Sequence, residues 1–309
     1  MTGMKLVITL ATRGRPQQLL NTINRSVSNL VLPNTVFMVQ VDSDDKETIE
    51  ALESSPLDKR VVVNIAERED TIAEKWNRAM SEPADVYFTQ ADDDPYMTHG
   101  YDAVALKAAE TFPDGIGMVY GYMANASFSS VVAPTAKLVE KMGYIFPPYF
   151  PYWFVDHWTD DVSKLIGRTI FADIRTDQSA AGKTQELREP AWWSTWFDAA
   201  YLMRRKQARD IIESTDYEAP AWLKTQLLSN HHFVEHRSRW INDNVRANRV
   251  ALEGMSRLTL SDPRYQRVRQ KAVAMVPQLL EGMSVDEAAA YKNALLPPTQ
   301  VIGLRRAFA

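Results

Sequence analysis

The sequence predicts an α/β protein with a doubly wound, mixed but mainly parallel sheet, followed by a helical C-terminal region. Three observations predict it. Short apolar runs alternate with helix-spaced segments up to about residue 175. Two of those runs end abruptly in acid clusters, Asp42-Ser43-Asp44-Asp45 and Asp92-Asp93-Asp94. From Trp192 onward strand patterns disappear and helical spacing takes over. The expected division is 1–190 and 191–309.

Lys5 to Ala11 has the character of a buried strand, and after the polar loop Thr12-Arg13-Gly14-Arg15-Pro16 the residues Leu19, Leu20, Ile23, Val27 and Leu30 recur at helical spacing. Pro16 falls where a first helical turn tolerates it. A second strand, Val36 to Val41, runs into Asp42; a helix is expected over Lys46 to Glu53 and a third strand over Arg60 to Ala66. Thr71 with Glu74 forms a capping box opening a helix through Met80, with Ile72, Trp76 and Met80 on one face and Lys75 and Arg78 on others. The fourth strand, Asp85 to Ala91, delivers the acid triple. A helix from about Gly100 to Thr111, a strand Gly115 to Gly121, a helix Ala136 to Met142 stopped by Gly143, and a strand Thr169 to Arg175 complete this part. The polar stretch Gln178 to Pro190 has no pattern and is expected to be a mobile loop. Beyond it, helices are expected over Trp196 to Glu213 and Ala219 to Leu252, with Trp222, Leu227, Phe233, Trp240 and Ile241 as buried candidates. Ser261-Asp262-Pro263 and Ser284-Val285-Asp286-Glu287 open two more, the last ending at Leu296-Pro297-Pro298.

The 309 residues are 45% hydrophobic and 24% charged, an ordinary globular balance with material for a sizeable core. No cysteine occurs, which excludes disulfides and thiolate metal sites and fits a reducing, cytoplasmic setting. The N-terminus lacks the pattern of a signal peptide, and no run of about 18 apolar residues could span a bilayer. The net charge of −4 conceals an asymmetry: residues 1–200 carry 18 Lys+Arg and 28 Asp+Glu, residues 201–309 carry 17 and 11. An acidic first part suits cation-assisted chemistry, and a basic second part suits an anionic acceptor, a membrane surface or nucleic acid; the alternative is a set of solvated Arg-rich helices.

Open α/β sheets bind ligands at the carboxyl ends of their strands, which is where the acid clusters fall. Continued strand geometry would point Asp92 and Asp94 one way and Asp93 the other, giving two carboxylates toward a Mg²⁺ or Mn²⁺ ion. The competing reading is a solvated acidic turn before Pro95. Tyr149 to Asp161, with Trp153, Phe154 and Trp158, places aromatic surface beside acids, as in a pocket wall, although each ring alone is equally good core. His232 and His236 stand one helical turn apart, a spacing able to bind a metal or a phosphate; a solvated or packed pair is the alternative.

Taken together, residues from about 4 to 190 resemble the GT-A fold of family 2-like glycosyltransferases. The elements that carry the resemblance occur in order: the loop Thr12 to Pro16 after a first strand, Asp42 after a second, Asp92-Asp93-Asp94 after a fourth, and the pair Asp160-Asp161 with Leu165 and Arg168. The resemblance implies that Thr12, Arg13 and Arg15 line the nucleotide, that Asp42 accepts a hydrogen bond from a base edge, usually uracil, and that Asp44 shares its pocket. It further implies that Lys75 and Arg78 lie near base or phosphates, that Asp92 approaches ribose or sugar hydroxyls, that Asp93 is among the nucleotide-binding residues, and that Asp94 with Asp92 holds Mn²⁺ or Mg²⁺. Asp161 would be the general base, with Asp160 beside it at a helix start. The family's later His ligand has no counterpart; Asp177 is the substitute by residue type. The region from about 191 matches no family pattern and is expected to bind the acceptor.

The function expected from these features is metal-dependent transfer of a sugar from a nucleoside diphosphate, UDP foremost, to an acceptor hydroxyl, with inversion by family analogy. The acceptor is open: a glycan, a small molecule or a modified nucleic acid, as in phage enzymes that glycosylate DNA bases. The alternatives are a nucleotidyl or phosphoryl transferase, although no Gly-x-x-x-x-Gly-Lys loop is present, and a non-catalytic nucleotide-sugar-binding module.

Overall fold

A computed structural model describes residues 3–122, 131–177, 189–215, 221–247 and 262–296. The expected mobile loop (for 178–188), Ser261, Pro297-Pro298 and the side chains of Trp222 and Leu227 lie outside the described residues.

Four strands, β1 (Leu6–Ala11), β2 (Val36–Asp42), β3 (Val61–Ala66) and β4 (Val86–Ala91), form a wholly parallel sheet in the order β3-β2-β1-β4. Every residue of β1 is buried, as expected for a central strand covered on both faces, whereas the edge strand β3 is only partly buried. Pairing of Ala11 with Gln40 on one side and Ala91 on the other brings the carboxyl ends of β1, β2 and β4 to one edge. The chain winds from β1 outward to β3 and then returns to the far side of β1, so the switch in winding direction lies between β1 and β4.

Helix α1 (Pro16–Val27) starts on Pro16 and buries Leu19, Ile23 and Val27 against this sheet. Helix α2 (Lys46–Glu53) follows β2. Helix α3 (Ile72–Asn77) carries both bonds of the predicted capping box: Glu74 N donates to Thr71 Oγ1 and Thr71 N to Glu74 Oε2, each at 3.0 Å. It ends earlier than expected. The Asn77 side chain bonds Ile145 N and Phe146 O, the chain tightens into a 3₁₀ turn at Arg78–Ser81, and Met80 is exposed rather than buried.

After α4 (Tyr101–Ala109) comes a second, three-stranded sheet of β5 (Met118–Tyr120), β6 (Val132–Pro134) and β7 (Thr169–Phe171), in the order β6-β5-β7. Strand β6 has no counterpart in the sequence reading; it is antiparallel to β5 and too short to show a pattern. A bridge between Val86 and Thr135 joins this sheet to β4. Helix α5 (Ala136–Met142) is capped by Thr135 and stopped by Gly143 at φ 83°, as expected.

Helix α6 (Val155–Leu165) is followed by α7 (Pro190–Ala199), α8 (Tyr201–Glu213), α9 (Ala221–Ala247), α10 (Pro263–Leu280) and α11 (Val285–Leu295). The single helix expected over Trp196 to Glu213 is two, broken at Ala200. Arg204 Nη1 donates to Phe197 O at 2.6 Å, giving that carbonyl at the end of α7 a side-chain partner. Phe150, Phe154, Trp158, Trp193, Trp196 and Phe197 form one aromatic core, with Phe150 and Trp196 edge to face at 5.1 Å. The aromatic segment expected as a pocket wall therefore serves mainly as core. That core joins Val7 and Met38 of the sheet to Trp192, Val268 and Leu295, and so crosses the expected division at 190/191.

Candidate functional site

At the carboxyl edge of the sheet, over the switch between β1 and β4, lies a cavity of about 350 Å³. The loop after β1 supplies Thr12, Arg13 and Arg15 to its lining, β2 supplies Asp42, the segment before α3 supplies Arg68 to Thr71, and the turn after β4 supplies Asp92. Tyr152 forms another part of the wall, and Asp262, Arg264 and Tyr265 at the start of α10 close it. Arg267 fixes α10 in this position, its Nη2 lying 2.6 Å from Asp70 Oδ1.

Asp42 is the buried acid of this cavity. Its Oδ2 lies 2.7 Å from Lys75 Nζ and 2.9 Å from Arg13 Nη1. Lys75 also donates to Thr12 O at 2.9 Å, which ties α3 to the loop after β1. Burial lowers the Lys75 pKa, and the hydrogen bond and charge of Asp42 oppose that shift. Asp42 Oδ1 is buried and accepts no hydrogen bond from a described residue, Arg78 Nη2 standing 3.6 Å away. A buried acceptor left in this state is available to a donor from water, an ion or a ligand.

Arg78 itself stands behind Asp42, paired with Glu69 and donating from Nη1 to Val41 O at 3.1 Å. Asp44 does not line the cavity. It is half exposed and grips Arg13 through both oxygens, at 2.6 and 3.0 Å, and that hydrogen bonding lowers its pKa.

The acid triple is arranged differently from the expectation. Strand β4 ends at Ala91, and Asp94 N bonds Ala91 O across a turn, so the alternation of faces stops before the acids begin. Asp92 and Asp93 consequently meet the same guanidinium: Arg15 Nη2 lies 2.6 Å from Asp92 Oδ1, and Arg15 Nη1 lies 3.0 Å from Asp93 Oδ2. Thr12 Oγ1 donates to the other Asp92 oxygen at 2.8 Å. Burial raises the Asp92 pKa to about 6, although Arg15 and Thr12 pull it down. Of the three acids only Asp92 lines the cavity. As arranged, both Asp92 oxygens are engaged, and among the described residues no group of three or more His, Asp or Glu side chains is placed to hold a metal by protein ligands alone; the expected Mg²⁺ or Mn²⁺ would take one or two carboxylates with phosphate oxygens. A cation at Asp92 would have to displace Arg15. Asp177, the expected substitute ligand, is paired with Arg25 at 2.6 Å. His232 and His236 are exposed on α9 and do not line the cavity.

Asp160 and Asp161 are not at a helix start. Helix α6 begins at Val155, placing them in its middle, and they are 1% and 0% exposed. Asp161 Oδ2 lies 3.0 Å from Arg204 Nε, and its other oxygen is paired with Arg237. Asp160 Oδ2 lies 2.7 Å from Arg237 Nη1 and 2.5 Å from Lys164 Nζ. The C-terminal helices α8 and α9 supply both arginines, so this cluster locks the two parts of the chain together. It does not line the cavity, and Asp161, expected as the general base at a helix start, stands instead in mid-helix between two arginines.

Four features had no individual role in the sequence reading. The acid of the first turn of α6 is Asp156, a quarter exposed, with His157 Nδ1 2.9 Å from its Oδ1. Burial pushes its pKa up, but the charge and hydrogen bonds of His157 outweigh this and leave it below the ordinary value. Phe154, just before the helix, holds a φ of 73°, a costly conformation for a bulky residue, stacked on Phe197 at 5.1 Å. The strand-end rule that singled out Asp42 applies equally to Glu67-Arg68-Glu69-Asp70 after β3. Arg264, by contrast, reaches the cavity through packing between distant segments, for which the sequence holds no local signal.

No protein-family model matches the chain, and no curated protein matches it. Among solved structures it is similar to S. aureus TarS 1-349, with TM-score 0.49 and 14% identity over 99% of this chain and 92% of that one. It is also similar to TarS 1-349 in complex with UDP-GlcNAc, with TM-score 0.49 and 12% identity over 94% and 88%. A longer TarS structure gives TM-score 0.46 and 13% identity over 94% of this chain and 54% of that one. Likenesses of this strength carry no argument about activity.

Proposed function

We propose that this chain is a glycosyltransferase that takes a sugar from a nucleoside diphosphate, with UDP the expected carrier, and moves it to an acceptor hydroxyl. The observation that carries the reading is the cavity at the winding switch, with Asp42 Oδ1 buried at its wall and lacking a hydrogen bond. A nucleotide at this edge follows the general rule for open α/β sheets. Asp42 offers an acceptor to a base N–H such as uracil N3–H, while unprotonated adenine N1 would face it as a second acceptor. Thr12 and Asp92 lie between the ends of β1 and β4, where hydroxyls of ribose or sugar would meet them.

In such a transfer the acceptor oxygen bonds the anomeric carbon as that carbon's bond to the diphosphate breaks, and the acceptor proton passes to a base. The residues of this chain would orient the donor, neutralise the leaving diphosphate through cavity cations and supply a carboxylate. Asp161 is buried between two arginines, so we assign the acceptor-side carboxylate to Asp156, which does not itself line the cavity but is the partly exposed acid of the same helix, four residues beyond Tyr152 of the cavity wall. The charge and hydrogen bonds of His157 lower its pKa.

The test is a hydrolysis screen of nucleotide sugars without acceptor, read as release of nucleoside diphosphate. Slow turnover of a UDP-sugar supports the reading. Binding of ADP in preference to UDP overturns the base assignment, and the absence of any nucleotide-sugar binding overturns the function.

A further inference from the structure

The cavity has five cationic lining residues, and four of them are spoken for. Arg13 and Lys75 are paired with Asp42, Arg15 with Asp92 and Asp93, and Arg264 with Asp262 at 2.6 Å. Arg68 differs. Its nearest carboxylate oxygens, on Asp42 and Asp44, are 3.9 and 4.0 Å away, beyond hydrogen-bond reach, and it makes no hydrogen bond among the described residues. Burial lowers its pKa, and the charge of Arg13 adds to that effect, so its cation is incompletely compensated. Arg68 shares the cavity lining with Asp262 and Arg264 at the start of α10, and Asp262 is near enough to act on its charge.

We propose that Arg68, from the segment after β3, and Arg264, from the start of α10, together hold the diphosphate of the nucleotide, so that the C-terminal helical part contributes to the donor site itself. The inference rests on the proposed function for the identity of the ligand, but its chemistry requires only a diphosphate. A guanidinium presents a planar fork of N–H donors suited to two phosphate oxygens, and neutralisation by two such groups is available without a cation at Asp92. The hold of Asp262 on Arg264 is local, two residues apart, and can be exchanged for a phosphate without moving α10, which Arg267 and Asp70 keep in place.

The experiment uses the full chain and the variants Arg68→Ala, Arg264→Ala and Arg68→Lys, with melting curves to establish that each is folded. Affinities for UDP, uridine and inorganic pyrophosphate are measured by calorimetry in chelator-containing buffer at low and high salt. Each Ala variant should weaken UDP and pyrophosphate by roughly tenfold to a hundredfold, leave uridine unchanged and flatten the salt dependence; Arg68→Lys should recover part of the loss. Equal weakening of UDP and uridine, or no weakening of UDP, overturns the two-arginine hold while leaving the donor cavity intact. Pyrophosphate binding that depends on both arginines, in a protein that does not turn over any nucleotide sugar, supports the two-arginine hold and sinks the transferase reading. A wild-type protein binding neither UDP nor pyrophosphate overturns both.

Discussion

Lys75 Nζ lies 2.7 Å from Asp42 Oδ2 with both side chains nearly fully buried, which makes this pair the fixed floor of the cavity. Lys75 and Arg13 crowd one oxygen, and the other is buried without a hydrogen-bond donor, Arg78 Nη2 standing 3.6 Å from it. The first prediction follows from that asymmetry. Asp42→Asn should weaken UDP binding roughly tenfold to a hundredfold and narrow the margin over ADP, since an amide can present its N–H where the carboxylate accepted. Calorimetric titration of both nucleotides checks it, and unchanged selectivity would remove Asp42 from base recognition.

A second prediction concerns Asp92, which is 2% exposed and titrates near 6 because burial penalises its charge. Its folded pKa is higher than its unfolded value of about 3.9, so the native state holds the proton more tightly. The associated stability is fully present below about pH 4 and is lost as pH rises through about 6, amounting to roughly 3 kcal/mol. Asp92→Asn should lack this contribution. Urea unfolding of wild type and variant between pH 4 and 7 should give a difference that favours the variant increasingly toward pH 7; a flat difference contradicts the shift.

What was legible in the sequence is what local patterning encodes. The strands β1, β2 and β4 show as short apolar runs, the Pro16 start of α1, the Thr71–Glu74 box and the Gly143 stop rest on contacts within a few residues, and each stands close to where it was expected. The strand-end rule likewise brought Thr12, Arg13, Arg15, Asp42 and Asp92 to one cavity. Errors arose where distant chain decides. Asp160-Asp161 looked like a helix opening because the arginines that bury them, Arg204 and Arg237, lie far along the sequence. The acid triple looked like a strand continuation because nothing local shows that Arg15 gathers Asp92 and Asp93 onto one side.

The engagement of Asp92 by Arg15 and Thr12 yields a third prediction: nucleoside diphosphate affinity should change less than about twofold between excess Mg²⁺ or Mn²⁺ and chelator, an energy difference of at most about 0.4 kcal/mol. Arg15→Ala should release Asp92 and introduce a cation dependence absent from the wild type. Strong cation dependence in the wild type would mean that the ligand-bound protein exchanges Arg15 for a metal at Asp92.

The last prediction separates two acids on one helix by what their loss affects. Asp161 has zero exposure and lies between Arg204 and Arg237, so Asp161→Asn leaves buried guanidinium charge without its partner. Breaking a buried pair from one side costs about 3–5 kcal/mol, and the loss should appear in urea unfolding, with donor affinity unchanged in whatever fraction stays folded. Asp156, one and a half turns earlier, is a quarter exposed, and the charge and hydrogen bonds of His157 lower its pKa. Asp156→Asn should leave stability within about 1 kcal/mol, as befits a partly exposed polar change, and leave UDP affinity unaltered. Sugar transfer should nevertheless fall by roughly 10²–10⁴-fold, the ordinary contribution of a positioned base. The two variants thus exchange signatures: one unfolds and the other stops transferring. An Asp156→Asn protein that transfers at the wild-type rate would strip that residue of its assigned role, and an Asp161→Asn protein as stable as wild type would contradict the buried cluster.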